Sequence, residues 1–211
     1  MRPPNRDTNA IIIRLVTSPA ESASILDLFE QVAADEGWQP QGALRLHAQN
    51  ARHLAAYDGN TLLGGVQVVL PSPDQAPPYL TVWPDIALAK SSHTAHITVL
   101  AFQAPYRGRP ALLWSVCSEL WRFLVAENIE AVLLEATPVM YRRYCKLGFP
   151  LEIIGELRPH WGEACHLCRL DVRAVAGAML MQAGKSPIYR SLIEQAVRPK
   201  RIAPRPEKHP V

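Results

Sequence analysis

No run of apolar residues in this 211-residue chain approaches the roughly 20 needed to span a bilayer. Nothing after Arg2 forms the apolar core of a secretory leader. Four cysteines are too few for a disulfide framework. Charge of neither sign dominates: 22 Lys and Arg stand against 19 Asp and Glu, for a net of +3. That is too weak an excess to mark a nucleic-acid binder, and much of it sits in the last segment, VRPKRIAPRPEKHPV. No internal repeat is present. These absences leave a soluble cytoplasmic protein as the expectation, with no nucleic acid and no membrane span. They do not specify an oligomeric state.

What is present is an ordinary globular balance, 48% hydrophobic and 19% charged. A domain of this length buries about 70% of its unfolded surface and needs no staples. The expected organisation is a disordered start over residues 1–10, one domain over 11–196 and a basic, proline-rich tail over 197–211.

Within the domain, IIIRLVT at 11–17 reads as a buried strand. Ser18, Pro19 and Glu21 then form a capping box. The helix they open carries Ile25, Leu28, Phe29 and Val32 on one face and ends near Glu36-Gly37. Residues 37–51 look irregular. HLAAYDGNTLLGGVQVVL reads as a hairpin turning at Asp58-Gly59-Asn60, with Gly64 and Gly65 marking a bulge or a close backbone approach. Five prolines in 71–92 predict a long surface loop. A strand over 94–102, a helix over 111–128, a strand over 130–136, a helix over 138–147 and strands over 151–157 and 164–171 follow. Two weaker helical segments lie at 173–183 and 187–196. This order predicts an α/β sheet with parallel and antiparallel pairs.

Several residues invite chemistry, each beside a plain structural reading. Arg107, Gly108 and Arg109 stand between a strand and a helix that starts near Pro110. A helix N-terminus with two guanidinium groups suits a phosphate, and equally the segment is a basic turn closed by proline. Tyr144 shares a helix face with Met140 and Leu147, as a core aromatic or as a proton donor. His96 is a strand histidine bonded to a neighbour, or a base for an amine. Glu135 is a base or an edge-strand charge. Cys165-His166-Leu167-Cys168 lies in a strand, where alternate residues face opposite ways. With no second pair, no metal is expected.

Two segments together, LAFQAPYRGR before a helix and YCKLGF after the next strand, resemble the GNAT acyltransferase superfamily. EATPVMYRRYCKLGFPLEIIGE, Gly37-Trp38 and YDGNTLLGGVQVVLPS are similar to its acyl-homoserine lactone (autoinducer) synthase and N-acyl amino acid synthase branch. The resemblance implies a GNAT-like mixed central sheet with a splayed parallel pair and flanking helices. It implies acyl transfer from an acyl carrier protein or coenzyme A thioester, as co-substrate, to a small-molecule amine. The implied alternatives are a non-catalytic acyl-ligand or partner-binding module, or a generic N-acetyltransferase. In the acyl-transfer reading, Tyr144 and His96 are the catalytic candidates. Leu100, Phe102, Arg107, Gly108 and Arg109 hold the carrier, while Trp38 and Thr137 meet the substrate. The strand over Leu62–Leu70 is a candidate tunnel wall for an acyl chain longer than acetyl. The sequence also departs from the branch. Pro110 and Leu112 replace small residues at the turn, the first helix has no arginine before Trp38, and His96 and Val99 stand where the branch has a glutamate and an arginine. Those departures argue against S-adenosylmethionine as the acceptor.

Overall fold

The computed structural model describes residues 11–40, 42–88, 92–185 and 190. The start over 1–10, the tail and, Arg190 apart, the last predicted helix lie outside these residues. The chain runs β1 (Ile12–Leu15), α1 (Pro19–Glu36), α2 (Ala43–Leu46), β2 (Ala51–Asp58), β3 (Thr61–Val69), β4 (Thr94–Phe102), α3 (Pro110–Ala126), β5 (Ala131–Ala136), α4 (Pro138–Lys146), β6 (Leu151–Ile153), β7 (Arg158–His160), β8 (Glu163–Asp171) and α5 (Val172–Lys185). The strands order as β1-β2-β3-β4-β5-β8-β6, with β7 also on β8. Among the described residues, β4 with β5 is the parallel pair.

Local chemistry explains the main elements. Ser18 Oγ accepts from the Glu21 amide, Pro19 opens α1, and Gly37 closes it in the left-handed region at φ 74°. The predicted face of Ile25, Leu28, Phe29 and Val32 is buried, packed with Ala55, Val99 and Ala101 on one side of the sheet. On the other side, α3 sets Leu112, Val116, Leu120 and Leu124 against Val66, Val68 and Val132. The core is thus two layers divided by the sheet.

Three segments differ from their sequence reading. The span read as irregular over 37–51 contains α2, which buries Leu44 to 1% exposure. The proline-rich span is no mere surface loop: a 3₁₀ turn at Pro78–Thr81 drops Tyr79 and Trp83 into a third cluster with Leu133, Cys165 and Leu167. Aromatic burial there outweighs the polar loop composition that the prolines signal. The strand expected over 151–157 stops at Ile153 as β6, and β7 begins only at Arg158, because Ile154 and Gly155 both donate to the Leu167 carbonyl and interrupt the ladder. Gly155 lies so close to Trp83 that a Cβ would come within 3.0 Å of its ring.

The glycine pair in β3 is a close approach with a bulge beside it. At Gly64, φ is 149° and a Cβ would sit 2.3 Å from the Ala101 carbonyl oxygen. The register between β2 and β3 shifts at Ala56/Tyr57. Gly64→Ala should therefore lower stability by roughly 3 kcal/mol or more, since rigid backbone must yield. Gly37→Ala, with open space around it, should cost only about 1 kcal/mol for its left-handed backbone. Urea unfolding of both variants checks the contrast; equal losses would contradict it.

Candidate active site

β4 and β5 pair only from Thr94–Ala131 to Ile97–Leu134. Beyond that, β4 meets a register shift against β3 at Gln67/Val68. β5 ends at Thr137-Pro138, where Thr137 Oγ1 accepts from the Met140 amide and Pro138 turns the chain into α4. The two strands part, and among the described residues the edge of β4 from Thr98 onward has no strand partner on that side. A cavity of about 270 Å³ fills the opening.

The cavity reaches both sides of the sheet. On the α3 side it is apolar, lined by Leu120, Trp121, Leu124, Leu134 and Val175. Met140, Tyr144 and Phe149 stand at the α4 end of that side. Trp114 stacks on Phe149 with centroids 5.3 Å apart, and Tyr144 meets Phe149 edge-on at 5.9 Å, so three rings fix one another. Burial, followed by nearby Cys117, pushes the Tyr144 hydroxyl up to about 12, against a smaller lowering by Arg143. The phenol therefore keeps its proton at neutral pH. Burial also pushes the Cys117 thiol up to about 12, and Cys165 to about 11, with Glu163 and Glu135 adding to burial. Both cysteines line the cavity, yet as thiols they are poor nucleophiles.

On the α1 side the cavity is polar and aromatic, lined by Trp38, Thr98, Glu135, His160, Trp161 and Glu163. His96 Nε2 lies 2.8 Å from Glu135 Oε1, with side-chain exposures of 3% and 8%. Burial alone would raise the Glu135 carboxyl, but the charge and close contact of His96, aided by His160, outweigh it and hold the group below its ordinary range. His96 does not itself line the cavity and reaches it through Glu135. Its Nδ1 is buried without a hydrogen-bond partner, and Nε2 meets Glu135 as a close ion-pair contact whose angles fall outside hydrogen-bond geometry.

Trp161 reaches the site through a costly turn. β7 and β8 pair through His160↔Glu163, leaving Trp161-Gly162 as a two-residue loop. Both loop residues have positive φ, 51° and 91°, as a type I′ turn requires. Tryptophan is a poor residue for that position. Trp161 stacks on His160 at 4.7 Å, and its carbonyl accepts from the Gln39 amide at 3.0 Å. That bond draws Trp161 toward the chain beside Trp38.

Behind Thr98 lies a buried polar chain. Thr98 Oγ1 is 2.7 Å from Gln67 Oε1, Gln67 Nε2 donates to the Leu44 carbonyl at 2.9 Å, and His53 Nε2 is 3.0 Å from Gln67 Nε2. Ser22 Oγ closes the chain at 3.4 Å from His53 Nδ1. Burial, with a smaller push from Arg52, lowers His53 to about 4, so it is neutral here.

The turn before α3 sits apart. Gly108 takes φ 71°, and α3 starts at Pro110 with no side-chain cap. Arg109 is exposed, over the Tyr106 ring at 5.0 Å. Arg107 Nε donates to the Phe102 carbonyl at 2.8 Å and its Nη1 pairs with Glu36, while Nη2 is buried without a partner. Of the residues singled out in sequence, Tyr144, Trp38, Thr137 and Leu100 line one cavity. Phe102, Arg107, Gly108 and Arg109 are outside its lining, and so are residues 62–70. Thr98, His160 and Trp161 were not singled out. Among the described residues, no three His, Cys, Asp or Glu side chains come together as a metal-sized group.

No protein-family model matches the chain, and neither does any curated protein sequence. Solved structures do match. FeeM, an N-acyl amino acid synthase from uncultured soil microbes, aligns over 80% of this chain and 94% of its own at 15% identity, TM-score 0.65. The CoA-dependent acyl-homoserine lactone synthase BjaI aligns over 90% and 92% at 14% identity, TM-score 0.64. A protein assigned to the GNAT family, from Desulfovibrio desulfuricans, aligns over 77% and 99% at 17% identity, TM-score 0.53. The chain has a GNAT-like fold. In GNAT terms the element order, the parallel pair and its splay all answer to the expected architecture. No helix among the described residues is long and apolar enough to cross a membrane.

The buried histidine gives a pH test. Its folded value is depressed, so the unfolded chain binds the extra proton between about 4 and the ordinary 6.5, and stability falls as pH drops through that window. From pH 7 to 5, wild type should lose on the order of 2 kcal/mol more than His53→Gln. Urea melts at both pH values measure this; parallel losses would show that His53 titrates alike folded and unfolded.

Proposed function

We propose that this chain is an N-acyltransferase. It moves an acyl chain longer than acetyl from a coenzyme A or acyl carrier protein thioester to a small amine, in the manner of the autoinducer and N-acyl amino acid synthases. The observation that carries this reading is the cavity crossing the splayed parallel pair, apolar on one side and acidic and aromatic on the other.

In this reading the acyl chain lies among Leu120, Leu124 and Leu134, with the thioester between the strand ends. The open edge of β4 near Leu100 and Phe102 offers backbone groups to the pantetheine arm, as an added strand would, although Arg107 already holds the Phe102 carbonyl. Carrier phosphate meets the free amides at the start of α3, with Gly108 and Arg109 beside them. Arg107 joins after giving up Glu36, an exposed pair of little worth. Glu135, oriented by His96, receives the proton of the attacking nitrogen. The nitrogen–carbon bond forms, the carbon–sulfur bond breaks, and the sulfur takes the Tyr144 proton. One amide and one thiol result. Positioning of the two reactants supplies much of the acceleration. Thr137 shapes the cavity wall while capping α4. Protonated Cys117 and Cys165 favour direct transfer over an acyl-enzyme.

The engagement of Arg107 by Glu36 also suits a second reading, a binding module that has lost its chemistry. Thiol release from octanoyl-coenzyme A and octanoyl-carrier protein, with a panel of amines, separates the two readings. Binding without release would favour the module.

Tyr144→Phe keeps the ring that packs on Phe149 and removes only the proton donor. Its kcat should fall roughly 100-fold with the melting temperature unchanged. Full turnover by a folded variant would remove Tyr144 from the mechanism.

Chain length follows from the α3 side. Octanoyl thioester should be used better than acetyl, and Leu124→Trp should reverse the order by filling the apolar end. Equal use of both lengths by wild type would place the acyl chain elsewhere.

A further inference from the structure

The polar half of the cavity has a fixed hydrogen-bonding sense. Gln67 must present its amide nitrogen to the Leu44 carbonyl, because two carbonyl oxygens 2.9 Å apart would repel. That orientation turns Gln67 Oε1 toward Thr98, and an oxygen there can only accept. The Thr98 hydroxyl therefore spends its one proton on Gln67. What it has left for the cavity is lone pairs alone. His53 agrees with this assignment: as a neutral ring it accepts from Gln67 at Nε2, which leaves Nδ1–H for Ser22.

Glu135, below its ordinary range, is likewise an acceptor of hydrogen bonds. Glu163, exposed, adds a second acid at the same side. Trp38, His160 and Trp161 supply ring faces, and burial holds His160 toward its neutral form more strongly than Glu135 opposes it. Among the described residues lining the cavity there is no lysine or arginine. Arg158 is held by Asp85, Glu156 and the Val82 carbonyl, and Arg107 lies outside the lining.

Acceptors, acids and ring faces without a fixed cation suit a donor that is itself cationic. They offer a carboxylate like charge and no fixed cation, with neutral indole and imidazole N–H groups as the side-chain donors beside the acids. We infer that the acceptor is a primary amine, bound as its ammonium on an aromatic or apolar body, with no carboxylate beside the nitrogen. This rests on the acyl-transfer reading and narrows it away from amino acids. Thr98 is a positioning residue in this scheme: it aims the nitrogen, while Glu135 takes the ammonium's first proton and frees the lone pair for attack; the second proton, released as the amide forms, replaces the one Tyr144 gave to sulfur.

The test pairs 2-phenylethylamine with L-phenylalanine, which differ by one carboxylate. Calorimetry on the full chain without thioester reads binding, and mass spectrometry with octanoyl-coenzyme A reads acylation. The amine should bind about 100-fold more tightly than the amino acid, the scale of a like-charge juxtaposition. Glu135→Gln should erase most of that preference. Thr98→Val should raise KM for the amine more than it lowers kcat, and Thr98→Ser should restore KM. Phenylalanine binding as well as the amine would overturn the inference, even with acyl transfer intact. So would binding of neither compound. Selective amine binding with no acylation by any thioester would leave the inference standing and overturn the transfer reading instead.

Discussion

The site depends on a pairing that stops early. β4 and β5 share four residue pairs and then separate, and the cavity opens where the fifth and sixth would have been. The cost is a strand edge inside the fold with backbone groups left over, normally a liability. Here the edge borders a cavity, where a ligand can use those groups. The causes are local: a register shift at Gln67/Val68 on one strand, and Thr137-Pro138 ending the other. Neither depends on the distant core. The two layers on either side, α1 below and α3 above, keep the gap from collapsing.

Because the opening passes through the sheet, its two halves inherit the two faces of the strands. Alternation puts Val132 and Leu134 on the α3 side and Leu133 and Glu135 on the other. One strand thereby supplies an apolar wall and an acid from neighbouring positions. The Thr98–Gln67–His53 chain extends the same logic, since each polar group is satisfied in one direction only. A buried network of this kind is strong when complete and expensive when broken.

Much of the framework was legible in the sequence. The capping box at Ser18, the face of α1, the hairpin, the glycine pair and the strand–helix–strand run around Pro138 all follow from periodicity and turn chemistry. Tyr144 was legible as an inward face residue. Half of the site was not. Trp161 sits in a turn whose type demands glycine or asparagine, so local propensity argues against the conformation it adopts. Thr98 looks like any strand threonine until Gln67 is placed across from it. Tyr79 and Trp83 hide among prolines that read as surface, because burial of large rings overrides composition. His96 and Glu135 were each noticed separately, but their contact crosses between strands 39 residues apart in sequence, and no local pattern carries that.

The Trp161-Gly162 turn has a consequence for how this chain can change. A left-handed backbone under a tryptophan costs about 1–2 kcal/mol that asparagine or glycine would largely recover. A screen that rewards heat tolerance alone would therefore drift toward those residues at position 161 and strip a ring from the cavity mouth. A lineage that keeps tryptophan there, against that steady pull, is under selection for something other than folding.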